Sequence, residues 1–211
     1  MITSSTRPLN DGERAELSSR LENAGRESRG ALVKTGGVST LVCAVLLALT
    51  LLASDAPWWI VTAFWLVLAA VFTLWIGVPW RRLMRQQVVS FEAALRANTA
   101  RVTRVQSDRV IEFEEEEDEG ACYAFALGDG TTVFICGQEF SGEERFPSSD
   151  FSLIDVLGPE SNPITTLLEK NGRDLTPERV IPASTKRQLA IPEHLTVVSE
   201  PLDTIEDTLR S

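Results

Sequence analysis

Two charge-free apolar runs, Gly36–Ala53 and Trp58–Trp80, constrain this chain more than any other feature. The first, GGVSTLVCAVLLALTLLA, would be about 27 Å long as a helix, close to the ~30 Å hydrocarbon thickness of a bilayer. The second, WWIVTAFWLVLAAVFTLWIGVPW, is long enough to span with some tilt. Only Ser-Asp-Ala-Pro, residues 54–57, separates them, so the two spans run antiparallel as a hairpin. A core helix of a soluble protein is shorter than either run. A cleaved leader would not begin after some 35 residues, and the small-residue site Ser54-Asp55-Ala56 is followed by Pro57. All five tryptophans lie in the run Trp58–Trp80, with Trp58 and Trp59 at one end and Trp75 and Trp80 at the other placed for the two interfacial belts.

Charge divides the rest of the chain. Residues 81–104 carry six arginines and one glutamate, whereas residues 105–211 carry 8 basic and 23 acidic side chains, so the overall −10 hides a basic collar and a strongly acidic domain. Arg26, Arg29 and Lys34 precede the first run, Arg81, Arg82 and Arg85 follow the second, and the turn has no Lys or Arg. The positive-inside rule then places both termini in the cytosol, in a multi-pass protein of the cell inner membrane. An acidic domain repels nucleic acid and suits a basic protein partner.

The expected fold class is α+β, a transmembrane hairpin with flanking helices and a small antiparallel β roll or partly open barrel. Residues 1–35 read as a cytosolic segment, disordered over 1–9, with a short helix over 10–24 capped by Asn10 and with Glu13 at the capping-box position. Gly25, Gly30, Gly36 and Gly37 then loosen the chain. Residues 81–104 read as a basic juxtamembrane helix with Met84, Val88, Phe91, Leu95 and Val102 on one side. Small residues recur at four-residue spacing in the first span (Gly36, Thr40, Ala44, Ala48), which suits close packing of the two spans or, alternatively, homo-oligomers.

Residues 105–211 read as short strands. RVIEFEEEE over 109–117 precedes a hairpin of 121–127 and 131–137 around Gly128-Asp129-Gly130, which sets Leu127 opposite Thr131. Tyr123, Phe125, Leu127, Val133 and Ile135 then share one strongly apolar face. Further strands are expected at 152–157, 164–169 and 195–199, with a short helix near the C-terminus. The same register places Cys122 opposite Cys136. Cytosolic thiols stay reduced, so two small buried cysteines are the default reading, with a redox pair or a two-thiol metal site as alternatives. Zinc wants four ligands and His194 is the only histidine.

Glu114, Glu115, Glu116, Glu117, Asp118 and Glu119 form the densest charge in the chain. The run reads as a solvated edge that blunts strand aggregation, as a docking patch for a basic partner, or as a divalent-cation site, although no D-x-D-x-D-G loop occurs. No phosphate-binding glycine loop, nucleophile elbow or H-E-x-x-H motif is present, and no cofactor is expected. Spans without ionisable groups argue against transport. The composite expectation is a non-enzymatic, membrane-anchored module for protein interaction or regulation. A membrane-bound enzyme or regulatory subunit of a larger complex is the alternative. The segments FEEEEDEGACYAF, GQEF, FPSSDF and IPEHLTVVSEPLDTIEDTL resemble those of uncharacterised bacterial membrane proteins in which two spans precede a soluble β domain. That resemblance covers residues 110–211, implies no activity and carries no site residues.

Overall fold

The computed structural model describes residues 1–53, 57–116, 119–140 and 146–210, which divide into two units. The helical unit, residues 8–99 with 157–164, is built on α1 (Asp11–Ala53) and α2 (Trp58–Ala97). Asn10 and Glu13 start α1 reciprocally: the Glu13 N–H donates to Asn10 Oδ1 and the Asn10 N–H to Glu13 Oε2, each at 2.8 Å. This is the capping box read from the sequence, and it satisfies two of the donors a helix start leaves open. The helix then continues through Gly25, Gly30, Gly36 and Gly37 to Ala53, so the short separate helix and glycine-loosened link are corrected to one 43-residue helix.

Three contacts order the two helices antiparallel. Arg14 donates to Asn98 Oδ1 at 2.9 Å, the Ser39 hydroxyl to the Ala69 carbonyl at 3.0 Å, and the Trp65 indole to Thr50 at 3.3 Å. A side chain at Gly36 would begin 3.5 Å from Thr73, so the small residue keeps that crossing close. Both helices contain a stretch long and apolar enough to cross a membrane. α2 continues through Pro79 and ends at Ala97, where Asn98 takes the left-handed conformation (φ 52°) and its N–H caps the Ala94 carbonyl. The helix expected to reach residue 104 stops earlier because Thr99–Gln106 enters a sheet.

The β unit comprises residues 1–7, 100–156 and 165–211. Its first strand, β1 (Ile2–Arg7), lies in a segment expected to be disordered; it pairs antiparallel with β2 (Thr99–Gln106), from Ile2 opposite Val105 to Arg7 opposite Ala100. With β6 (Asp150–Leu157) and β7 (Pro163–Lys170) they form one sheet in the order β1-β2-β6-β7. The second sheet contains β3 (Val110–Phe113), β4 (Ala121–Ala126), β5 (Thr132–Gly137), β8 (Val180–Ile181) and β9 (Val197–Val198), in the order β8-β3-β4-β5-β9. Both sheets are open, and β8 joins β3 in parallel, where a purely antiparallel roll or partly open barrel was expected.

The second sheet is covered on both faces. Tyr123, Phe125, Val133 and Ile135 share a core with Val105, Phe151 and Leu153 of the first sheet. Ile111, Phe113, Ala124 and Phe134 on the opposite face pack under Leu189, Leu202, Ile205 and Leu209. The tail that supplies this cover includes two short helices, α3 (Ala183–Lys186) and α4 (Ile205–Leu209). Arg109 fastens the tail by bonding both Glu178 and Asp203.

Candidate functional site

The β4–β5 hairpin fixes the chemistry at its open end. The Leu127 N–H donates to the Thr131 carbonyl at 2.8 Å, closing the turn as a hydrogen-bonded pair. Antiparallel pairs alternate between hydrogen-bonded and non-hydrogen-bonded positions. Cys122 and Cys136 are opposite each other five steps further on, hence at a non-hydrogen-bonded position where side chains approach most closely. Their Cα atoms are 4.0 Å apart and their sulfurs are joined as a disulfide. The sequence register therefore located the pair. The expectation of two separate buried thiols gives way to a bridge, because the ladder holds both Cβ atoms on one side of the sheet.

At such a position the Cys136 N–H points away from β4. It donates instead to Nδ1 of His194 at 3.2 Å, which leaves the proton of a neutral imidazole on Nε2. His194 stacks on Phe140, with ring centroids 5.7 Å apart and planes 16° apart. Flanking bonds hold its loop in place: the Leu195 N–H donates to the Phe134 carbonyl and the Phe134 N–H to the Thr196 carbonyl. The lone histidine is thus anchored beside a cysteine 58 residues away.

Cys122, Cys136 and His194 line a cleft of about 550 Å³ together with Lys186, Glu119 and Glu193. Lys186 is only 7% exposed, and its ammonium pairs with Glu119. Arg187 pairs with Glu116. Glu114 Oε2 accepts the Ala183 N–H at 3.2 Å and Glu115 Oε1 accepts the Gly120 N–H at 3.3 Å. The described carboxylates of the acidic run therefore all have partners within the chain, mostly on the tail around α3. Glu117 and Asp118 lie outside the described residues. Sequence reasoning missed Lys186 and Arg187 because neither belongs to a patterned segment.

Gly120 makes the approach of the run to β5 feasible. Its φ is +85°, and a Cβ there would sit 2.4 Å from backbone atoms of Gly137 and Gln138. Just upstream, burial raises the Glu112 carboxyl above its ordinary range, with the neighbouring Glu114 charge adding to it. Burial, and secondarily Glu112, pushes the Tyr123 phenol up to about 12, so this tyrosine stays protonated at neutral pH. Among the described residues no three His, Cys, Asp or Glu side chains converge in a metal-binding group.

Comparison with protein-family models, with curated proteins and with solved structures returned no match.

Proposed function

We propose that this chain is a two-span membrane protein whose helical hairpin anchors a non-enzymatic β domain for protein interaction or regulation. The carrying observation is how little of the apolar helix surface is covered. Only 6% of the apolar stretch Val33–Thr50 and 17% of the most apolar 18-residue stretch within Trp58–Ala97 is buried, and Leu41, Phe64 and Trp75 are each at least 60% exposed. Soluble monomers rarely leave apolar patches beyond a few hundred Å² in water, where each Å² costs about 25 cal/mol. Lipid is the solvent in which such a surface is stable. The arginines and lysine flanking both spans favour the orientation with both chain ends in the cytosol of a cell whose inner membrane holds the protein.

A basic protein partner would have to compete with Lys186 and Arg187 for Glu119 and Glu116. Arg187 is exposed, so exchange of its pair is nearly balanced in energy and suits reversible docking, whereas Lys186 is buried and holds Glu119 more firmly. The test is expression of the full chain with a reporter after Ser211, followed by fractionation and alkaline extraction. The expected result is a detergent-requiring membrane protein whose reporter is active on the cytosolic side. Recovery as a soluble protein without detergent, or a reporter exposed outside, would overturn the proposal.

A further inference from the structure

We propose that Cys122 and Cys136 form a reversible thiol–disulfide exchange site that reacts with small thiols entering the cleft beside His194. Access sets the direction of attack. Both cysteines line the cleft, but Cys136 is half-buried whereas Cys122 is only 2% exposed. An incoming thiolate therefore attacks Cys136 Sγ, the Cys136–Cys122 bond breaks, and the electron pair leaves on Cys122 Sγ, which takes up a proton. A second small thiolate attacks the small-thiol sulfur of the mixed disulfide and releases Cys136 as a thiolate. Two small thiols thus become one small disulfide, and the protein gains two electrons and two protons as a dithiol. The oxidising direction is the reverse, with the small disulfide as oxidant.

Reversibility follows from the ladder. Six residue pairs from Ala121–Gly137 to Ala126–Thr132 keep β4 and β5 in register whether or not the sulfurs are bonded. After reduction the two thiols still face each other, so closure of the mixed disulfide is an intramolecular reaction at high effective concentration. In the cytosolic compartment assigned under the proposed function, which this one point rests on, protein disulfides are characteristically transient and redox-sensing. The cleft lining sets a preference among thiols. Lys186 and Arg187 are matched by Glu119 and Glu116, which leaves Glu193 as the excess charge, so a cationic thiol enters more readily than an anionic one.

The test uses the full chain in detergent with Cys43→Ser, which leaves the pair as the only thiols. The protein is equilibrated with cysteamine and cystamine at graded ratios, acid-quenched, and tagged in denaturant with a maleimide polymer that counts free thiols. The expected result is smooth, reversible interconversion between no tags and two tags. In single variants, Cys122→Ser should form a cysteamine adduct at least ten-fold faster than Cys136→Ser, and glutathione should react more slowly than cysteamine. Two tags at every ratio would mean that no bridge forms. No tags at any ratio unless denaturant is present during the equilibration itself would mean a closed structural bond. Either result, or equal adduct rates in the two single variants, would overturn the proposal. Because the protein is purified, none of these results depends on membrane orientation.

Discussion

Replacing Gly120 by alanine tests whether the entry to β4 is held by backbone geometry. The residue sits at φ +85°, a region that costs an L-residue about 1–3 kcal/mol. The new Cβ would also lie 2.4 Å from Gly137 C and O and from Gln138 N. Cβ contacts essentially never fall below 3.0 Å, so the end of β5 must retreat by about 0.6 Å, and none of the three atoms belongs to a flexible side chain. Overpacking of this kind costs a further ~1–3 kcal/mol. The expected loss is roughly 2–6 kcal/mol, a large part of the roughly 5–15 kcal/mol typical of a domain. Tryptophan fluorescence would read the wrong unit, since every tryptophan lies in α2. Hydrogen exchange of peptides covering 121–137, followed across a denaturant series, reports on the β unit instead. Gly128→Ala is the control, with nothing within 4 Å of its Cβ position; it should change stability by no more than about 1 kcal/mol, in the stabilising direction. A Gly120→Ala loss no larger than that of the control would refute the geometric argument.

Phe134→Ala should cost about 3–5 kcal/mol by the same exchange measurement, because Phe134 is fully buried under the tail and lies 6.1 Å from the Phe113 ring. Asn10→Ala should weaken the first turns of α1 by about 1 kcal/mol, seen as faster exchange at residues 11–17, while the β unit is unchanged. The Arg104 guanidinium, with help from Gln106, holds the Asp150 carboxyl below its ordinary range. That pairing therefore stabilises the protein above the ordinary aspartate range and is lost as pH falls through the lowered folded value. Asp150→Asn should be less stable than the parent by about 1 kcal/mol or less at pH 7, since Arg104 is half exposed, and equal to it in strong acid. Denaturant titrations at both pH values check the convergence, and a gap that persists in acid contradicts it.

Local chemistry was the part of the fold most legible in the sequence. The Asn10–Glu13 box and the Gly128-Asp129-Gly130 turn depend on neighbours within a few residues, and both form as read. The turn carried the register with it, and so the meeting of Cys122 with Cys136. What escaped depends on partners far along the chain. Ile2–Arg7 is ITSSTR, without an apolar alternation, and becomes a strand only because residues 100–105 offer it a ladder. The glycines of α1 each carry a local penalty against helix, yet the helix persists, and at Gly36 the missing side chain lets α2 approach. Two-sided burial of the second sheet was hidden because its cover, from Leu189 to Leu209, has apolar residues too sparse to show a period. The same distance concealed the contacts of His194, Lys186 and Arg187, whose partners lie 58–71 residues away.

The pairing of β1 with β2 sets an order of events during biosynthesis. Residues 2–7 find their partner strand only once residues 99–106 have been made, after both long helices. Joining ends so far apart in an unstructured chain would carry a closure entropy that grows with the logarithm of the gap. Here the antiparallel helices bring Arg14 beside Asn98, so the gap that the two strands must close is far shorter than the count of intervening residues suggests.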